Sequence, residues 1–146
     1  MIVLDTNIIS EMMKTSPSLQ VMTWIDEQTV SELFITTITI AEIVYGLHAL
    51  PAGHRRNQLE DAFHNTISSA FEYRVLGFDE LSAHRYGQLM ADRKKLGRPL
   101  AILDGQIAAI AYINKFKIAT RNMADFYECG LGLINPFEHD VHPSKN

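Results

Sequence analysis

Cysteine is almost absent: Cys129 stands alone in 146 residues. Neither a disulfide scaffold nor a zinc site built on several thiolates can form within the chain. Long apolar runs are missing too. The longest, near Ile107 to Ile113, is far short of the roughly 20 residues that a membrane span needs. The first residues carry no basic segment ahead of an apolar stretch, so the expectation is a soluble, cytoplasmic protein without membrane association. An excess of basic charge is lacking, with 13 Lys and Arg against 17 Asp and Glu and a net charge of −4. That balance does not mark an obvious nucleic-acid binder, because phosphate contacts rely on Lys and Arg. Internal repeats, low-complexity tracts and interdomain linkers are absent. Gly46, Gly97 and Gly105 are too scattered for a phosphate loop, and His48, His54, His64, His84, His139 and His142 show no convergent ligand spacing.

What is present fits one globular domain. Apolar residues make up 47% of the chain, enough to exclude disorder as its main state. The domain is expected over residues 1–138, with a polar, frayed tail over 139–146. Charge is distributed unevenly. Residues 1–54 hold one basic residue, Lys14, against six acids, whereas residues 55–121 hold eleven basic residues against seven acids. On charge alone, Arg55, Arg56 and the run Arg93-Lys94-Lys95 read as solvated helix faces.

Hydrophobic patterning alternates between strands and helices. Ile2-Val3-Leu4 is a short apolar run of buried-strand type, followed by others at Leu33–Thr37, Tyr73–Phe78, Lys117–Thr120 and Leu131–Ile134. Helical spacing falls near Leu19 to Asp26, across Ile40 to Leu47, and over 55–70, Leu81–Leu96 and Leu100–Asn114, with Pro99 suited to opening the last of these. Such alternation predicts parallel strands joined by right-handed crossovers, hence a three-layer α/β/α sandwich with a Rossmann-like parallel sheet. Ligands of such sheets sit beyond the carboxyl ends of the strands.

Acidic residues converge on that edge. Asp5 directly follows the first strand, Glu42 lies early in the helix after the second, and Asn122 and Asp125 follow the fourth. Asp104 opens a helix running antiparallel to the fourth strand, so it reaches the same edge. Clustered carboxylates raise one another's pKa unless a cation sits among them. Hard oxygen donors suit Mg²⁺ or Mn²⁺, which can activate water and stabilise charge on a phosphodiester. Each acid also has a plainer explanation. Asp5 could cap the helix beginning near Asn7, Thr39-Ile40-Ala41-Glu42 has capping-box spacing, Asn122 to Asp125 resembles another cap, and Asp104 could complement a helix dipole. Asp104 is the hardest to explain this way, because it sits in an apolar stretch where an unpartnered acid is costly.

The segments MIVLDTNIIS, ITTITIAEIVYGL, GRPLAILDGQIAAIA and IATRNMADF, with the close GLGLINPF, together resemble the PIN domain, specifically VapC-type toxins near the FitB-like branch. The resemblance spans Met1 to about Phe137. It implies a Mg²⁺- or Mn²⁺-dependent endoribonuclease, a homodimer, and a cognate VapB-type antitoxin that blocks the site and binds promoter DNA. Asp5, Glu42 and Asp104 match the family's metal-site acids. The fourth position is ambiguous here, with Asn122 as a possible ligand and Asp125 three residues on. Thr6 and Thr120 match hydroxyl positions bordering the site, and Arg85, Arg93 or Arg121 would meet the RNA backbone. Three other readings stay open: a non-catalytic PIN scaffold, a DNA nuclease of the same fold, and a phosphoacceptor signalling domain. Asp79 bears on the last of these but reads better as the N-cap of the helix from Glu80. Trp24 is expected in the core, whereas Met12 and Met13 could be core or an exposed patch.

Overall fold

A computed structural model describes residues 1–72 and 74–141. Five short strands form one wholly parallel sheet in the order β3-β2-β1-β4-β5: β1 (Ile2–Leu4), β2 (Leu33–Thr36), β3 (Val75–Leu76), β4 (Lys117–Ala119) and β5 (Leu133–Ile134). Six α-helices connect them: α1 (Thr6–Met12), α2 (Leu19–Asp26), α3 (Thr37–Ala49), α4 (His54–Asn65), α5 (Glu80–Lys95) and α6 (Ile102–Asn114). Among the described residues no helix is long and apolar enough to cross a membrane.

Strand alternation divides the interior into two cores. Leu4, Leu33, Ile35 and Ala119 face one side of the sheet, where Ile8, Ile9, Trp24, Ile43, Leu47 and Phe63 of the first four helices pack against them. Val3 and Ile118 face the other, against Leu89 of α5 and Ile107, Ala108 and Ala111 of α6. A side-chain period of two sends neighbouring strand residues to opposite faces, and helices on both faces make the expected three layers. Trp24 is in the core as expected; Met12 and Met13 are half-buried and pack against its margin.

Several boundaries differ from expectation. The third strand is only Val75–Leu76, and Tyr73 lies outside the described residues. The fifth starts at Leu133 rather than Leu131. The helix expected over 55–70 ends at Asn65 and widens into a π-turn over Thr66–Ala70. There Thr66 donates to the Ala62 carbonyl at 2.8 Å and Ser68 to the His64 carbonyl at 2.8 Å. Such back-bonding hydroxyls compete with the regular backbone ladder. Helix α6 opens at Ile102 behind Ala101, so Pro99 lies before the helix and buried Leu100 anchors the approach.

Within the run read as a solvated face, Lys94 and Lys95 are exposed as expected, but Arg93 is not. It is 4% exposed. Its Nε donates to the Arg98 carbonyl at 2.7 Å, and its Nη1 donates to the carbonyls of Asp125 (3.4 Å) and Tyr127. A guanidinium offers five donors in a fixed fork, so it can tie together a loop that has little regular structure. It is thereby unavailable to an RNA backbone. The end of the expected domain is ordered by a buried Pro136 and a 3₁₀ turn over Pro136–Glu138, and His139, where the expected tail begins, has its Nε2 2.8 Å from Glu27 Oε2. His142 lies outside the described residues.

Candidate active site

Strand order reverses between β1 and β4, which are neighbours although more than a hundred residues separate them in the chain. The chains leaving these strands diverge to opposite sides and open a crevice, the usual ligand position in a doubly wound sheet. A cleft of about 400 Å³ lies there, and its lining includes Asp5, Glu42, Asp104, Asn122 and Arg121. The three acids reach it from the end of β1, from α3 and from the first turn of α6.

Asp5 is held most firmly. It is 4% exposed. Its Oδ1 accepts the Thr6 N–H at 2.8 Å, and its Oδ2 accepts the Thr120 hydroxyl at 2.8 Å. Thr120, fully buried, accepts in turn the Asn122 N–H at 3.0 Å. Asp5 does cap α1, as the plain reading holds, yet its second oxygen is tied across the sheet to the end of β4. The backbone repeats that tie, since the Asp5 N–H donates to the Ala119 carbonyl at 2.9 Å.

Glu42 is not in a capping box. The N-cap of α3 is Thr36, whose hydroxyl accepts the Thr39 N–H at 3.1 Å, and the helix starts at Thr37. Glu42 therefore falls in the second turn, too far along to reach the cap. Its Oε1 instead accepts the Thr6 hydroxyl at 2.9 Å, and Thr6 is itself 3.0 Å from the Thr39 hydroxyl. Both threonines flanking the cleft thus orient its acids.

Asp104 stands differently. It is half-buried and, among the described residues, no side-chain donor offsets that burial. Burial first, then the charges of Asp5 and Asp125, push its pKa up to about 6. Burial also raises Asp5, against its hydrogen bonds to Thr120 and Thr6 and with added repulsion from Glu42 and Asp125. Glu42 is raised by burial and by Asp104, against its bond to Thr6. The acids therefore sense one another, which separate capping roles would not produce. Gly105 helps to set Asp104, because a Cβ there would stand 2.6 Å from Met90 Sδ and 3.1 Å from Tyr86, so α5 and α6 close tightly beside it.

The fourth position stays divided. Asn122 lines the cleft and begins the 3₁₀ turn Met123–Phe126, but its side chain makes no capping bond there. Asp125 is exposed and outside the lining, yet its charge reaches Asp5 and Asp104. Among the described residues no three acidic, imidazole or thiol side chains are already drawn close enough to grip an ion. With Glu11 paired to Lys14, the remaining acids of the cleft, Asp5, Glu42 and Asp104, offer oxygen donors on mutually repelling carboxylates, which fits a hard divalent cation retaining several waters.

Sequence patterning gives no reason to single out Asn7. Its Nδ2 donates to Asp5 Oδ2 at 3.3 Å and to the Thr120 hydroxyl at 3.4 Å, while its Oδ1 accepts the Arg121 N–H at 3.2 Å. It stitches the β1 and β4 ends together. The only signal for it was its place beside Asp5 and Thr6.

A doubly wound α/β domain with acids gathered at its strand-order reversal can be compared as a whole with known proteins. The PIN domain family model matches residues 2–129. The VapC ribonuclease Y4jK of Sinorhizobium fredii is 43% identical over 138 residues, covering 94% of this chain and 99% of that protein. Toxin FitB of Neisseria gonorrhoeae is 35% identical over 140 residues, covering 96% of this chain and all of FitB (100%). Among solved structures, that of FitAB bound to a DNA fragment, IR36, superimposes with a TM-score of 0.89 at 34% identity, covering 98% of this chain and 100% of that one. The chain belongs to the PIN-domain family, on the branch of VapC-type toxins. That membership displaces the phosphoacceptor reading, and Asp79 does cap α5, accepting the Ser82 N–H at 2.8 Å.

Proposed function

We propose that this protein is the toxin of a type II toxin–antitoxin pair, a cytoplasmic Mg²⁺- or Mn²⁺-dependent endoribonuclease restrained by its cognate VapB-type antitoxin. The observation carrying this reading is the meeting of Asp5, Glu42 and Asp104, from three distant segments, in one cleft at the strand-order reversal. Asp5 and Asp104 would be the principal ligands, with Glu42 ligating directly or orienting the attacking water, and Asn122 or Asp125 completing the set. A metal held there supplies a water of lowered pKa and stabilises charge on the phosphodiester. Thr120 and Thr6 hold Asp5 and Glu42 in place by donating to one oxygen of each, which leaves lone pairs on each carboxylate for the ion. Arg121, at the rim, meets the substrate backbone. Attack by water in line with the 3′-oxygen leaves a 5′-phosphate and a 3′-hydroxyl.

A second groove of about 850 Å³ runs between α1, α3 and α4 and shares Thr6, Ser10, Lys14 and Glu42 with the cleft. An antitoxin segment laid along it covers Glu42, and promoter DNA is reached only through that partner. A homodimer is supported by exposed apolar side chains on packed helices, with Tyr45 on α3 78% exposed and Ile102 on α6 62% exposed. Light scattering tests this, and a monomer at micromolar concentration refutes it. For the activity, purified protein is incubated with RNA and with DNA in Mn²⁺, Mg²⁺ and EDTA. Metal-dependent cleavage of RNA is expected, lost in Asp5→Asn and Asp104→Asn. Cleavage of DNA alone would favour the DNA-nuclease reading, and cleavage of neither, a non-catalytic scaffold.

A further inference from the structure

The C-terminal segment after β5 adds nothing to the sheet, yet it reaches the cleft. Phe137 lines it together with Arg121, and the Arg121 guanidinium carbon sits 4.7 Å from the centre of the Phe137 ring. Both ends of this stack are anchored. The Arg121 N–H is held by Asn7, the residue that also bonds Asp5. The Phe137 N–H donates to Asn135 Oδ1 at 3.1 Å, the ring packs against the first core, and His139 beyond it lies against Glu27 at the end of α2.

Charge in the cleft makes this support consequential. The other cation of the lining, Lys14, is committed to Glu11 at 2.7 Å. Arg121 has no carboxylate within ion-pair distance among the described residues, although it is close enough to lower the pKa of Glu11. A long flexible cation beside several buried and half-buried acids would ordinarily fold down onto them. An aromatic face attracts a guanidinium without using its hydrogen-bond donors. Arg121 is thereby held beside the acids by the ring, without an ion pair to any of them among the described residues.

We propose that Phe137 is a positioning residue for substrate, holding Arg121 over the acid cleft to receive a phosphate of the nucleic-acid backbone. This rests on the nuclease reading and extends it to a residue outside the acid set. The strap Asn135–His139 then governs how tightly substrate is held rather than how fast it is cut.

The test uses the full chain and a fluorescently labelled single-stranded RNA. Cleavage is measured in Mn²⁺, and binding in EDTA by anisotropy over a range of salt. Phe137→Ala is expected to raise KM and Kd about three- to fivefold, the scale of an exposed to partly desolvated cation–π contact, with kcat within twofold. Arg121→Ala should weaken binding at least as much and flatten the log–log salt dependence by about 0.7, one single-strand phosphate contact. The double variant should be no weaker than Arg121→Ala alone. Phe137→Tyr should restore binding, and Phe137→Leu, which keeps the packing volume without the aromatic face, should not. Should Phe137→Ala fail to fold, the Tyr and Leu pair carries the same comparison. Additive losses, a fall in kcat at unchanged KM, or wild-type binding by Phe137→Leu would overturn the proposal while leaving the nuclease reading intact. A wild-type chain that neither binds nor cuts RNA would refute both.

Discussion

Replacing Asp104 by Asn should stabilise the metal-free protein while destroying its activity, and the two effects separate a metal ligand from a helix cap. The side-chain volume is unchanged; the perturbation is one negative charge. In the folded protein the Asp104 pKa is raised from 3.8 to about 6 by burial and by the charges of Asp5 and Asp125. A gap of about two units corresponds to ~3 kcal/mol for a group that feels it fully. Asp104 is half-exposed to solvent, so screening reduces this to about 1 kcal/mol. Opposing it, an anion in the first turn of α6 gains ~0.3–1 kcal/mol from the helix dipole; the raised pKa means that burial and repulsion prevail. Because the folded pKa lies above the unfolded one, protonation favours the folded state. Asp104 thus contributes stability that is complete below about 3.8 and lost as the pH rises through about 6. Above that range Asp104→Asn should melt about 2–4 °C higher than the wild type in EDTA, by the usual scaling for a domain of this size. The difference should shrink to nothing near pH 4. Adding Mn²⁺ should raise the wild-type melting temperature by mass action and leave the variant unchanged, reversing their order. Differential scanning fluorimetry at several pH values, with RNA cleavage on the same samples, makes the measurement. A variant that melts lower in EDTA at pH 7.5 and still cuts RNA would refute the reasoning and return Asp104 to a capping role.

Cleavage by the wild type should climb between about pH 5 and 7, because Asp5, Glu42 and Asp104 all hold their protons above the ordinary carboxylate range and must release them to bind metal; raising Mn²⁺ at pH 5.5 should recover much of the lost rate, and a flat profile would contradict the assignment. Asn122→Asp adds a further negative charge to the cleft lining, and should lower the metal-free melting temperature while tightening Mn²⁺ binding measured by calorimetry. Asn122→Ala and Asp125→Asn should each reduce cleavage less than Asp5→Asn does. Arg93→Ala strips the donors from the Asp125 and Tyr127 carbonyls, and should cost about 2–4 kcal/mol in urea unfolding, with faster proteolysis of the loop after β4.

The fold was legible because its signals are local and repeated. Apolar runs such as Ile2-Val3-Leu4 and Lys117–Ala119 mark strands whose two faces are both covered, and their alternation with helical spacing determines the layers. Asp5 and Asp104 could be placed because each adjoins an element end whose direction follows from that alternation. Glu42 was placed by its position early in the helix after β2, and its rival reading as part of a capping box failed because the cap is Thr36 rather than Thr39, a choice of register that spacing alone does not make. Arg93 was misread because two adjacent lysines make a run look solvated, while the carbonyls that bury it come from a loop more than thirty residues away. Asn7 and Phe137 escaped notice for a related reason. Their partners, Thr120 and Arg121, are distant in sequence, and no periodicity encodes such a pairing.

The pairing of β1 with β4 has a consequence for the order in which the molecule comes into being. Asp5 emerges from the ribosome more than a hundred residues ahead of the strand and hydroxyl that hold it, Lys117–Ala119 and Thr120. A contact of such long sequence separation forms late, because its loop must close before any favourable energy is gained. Throughout synthesis the growing chain carries its acids without the frame that gathers them, and a chain broken off before Lys117 never acquires it. The cleft thus waits on β4: the first of its acids is made long before the strand that gathers it.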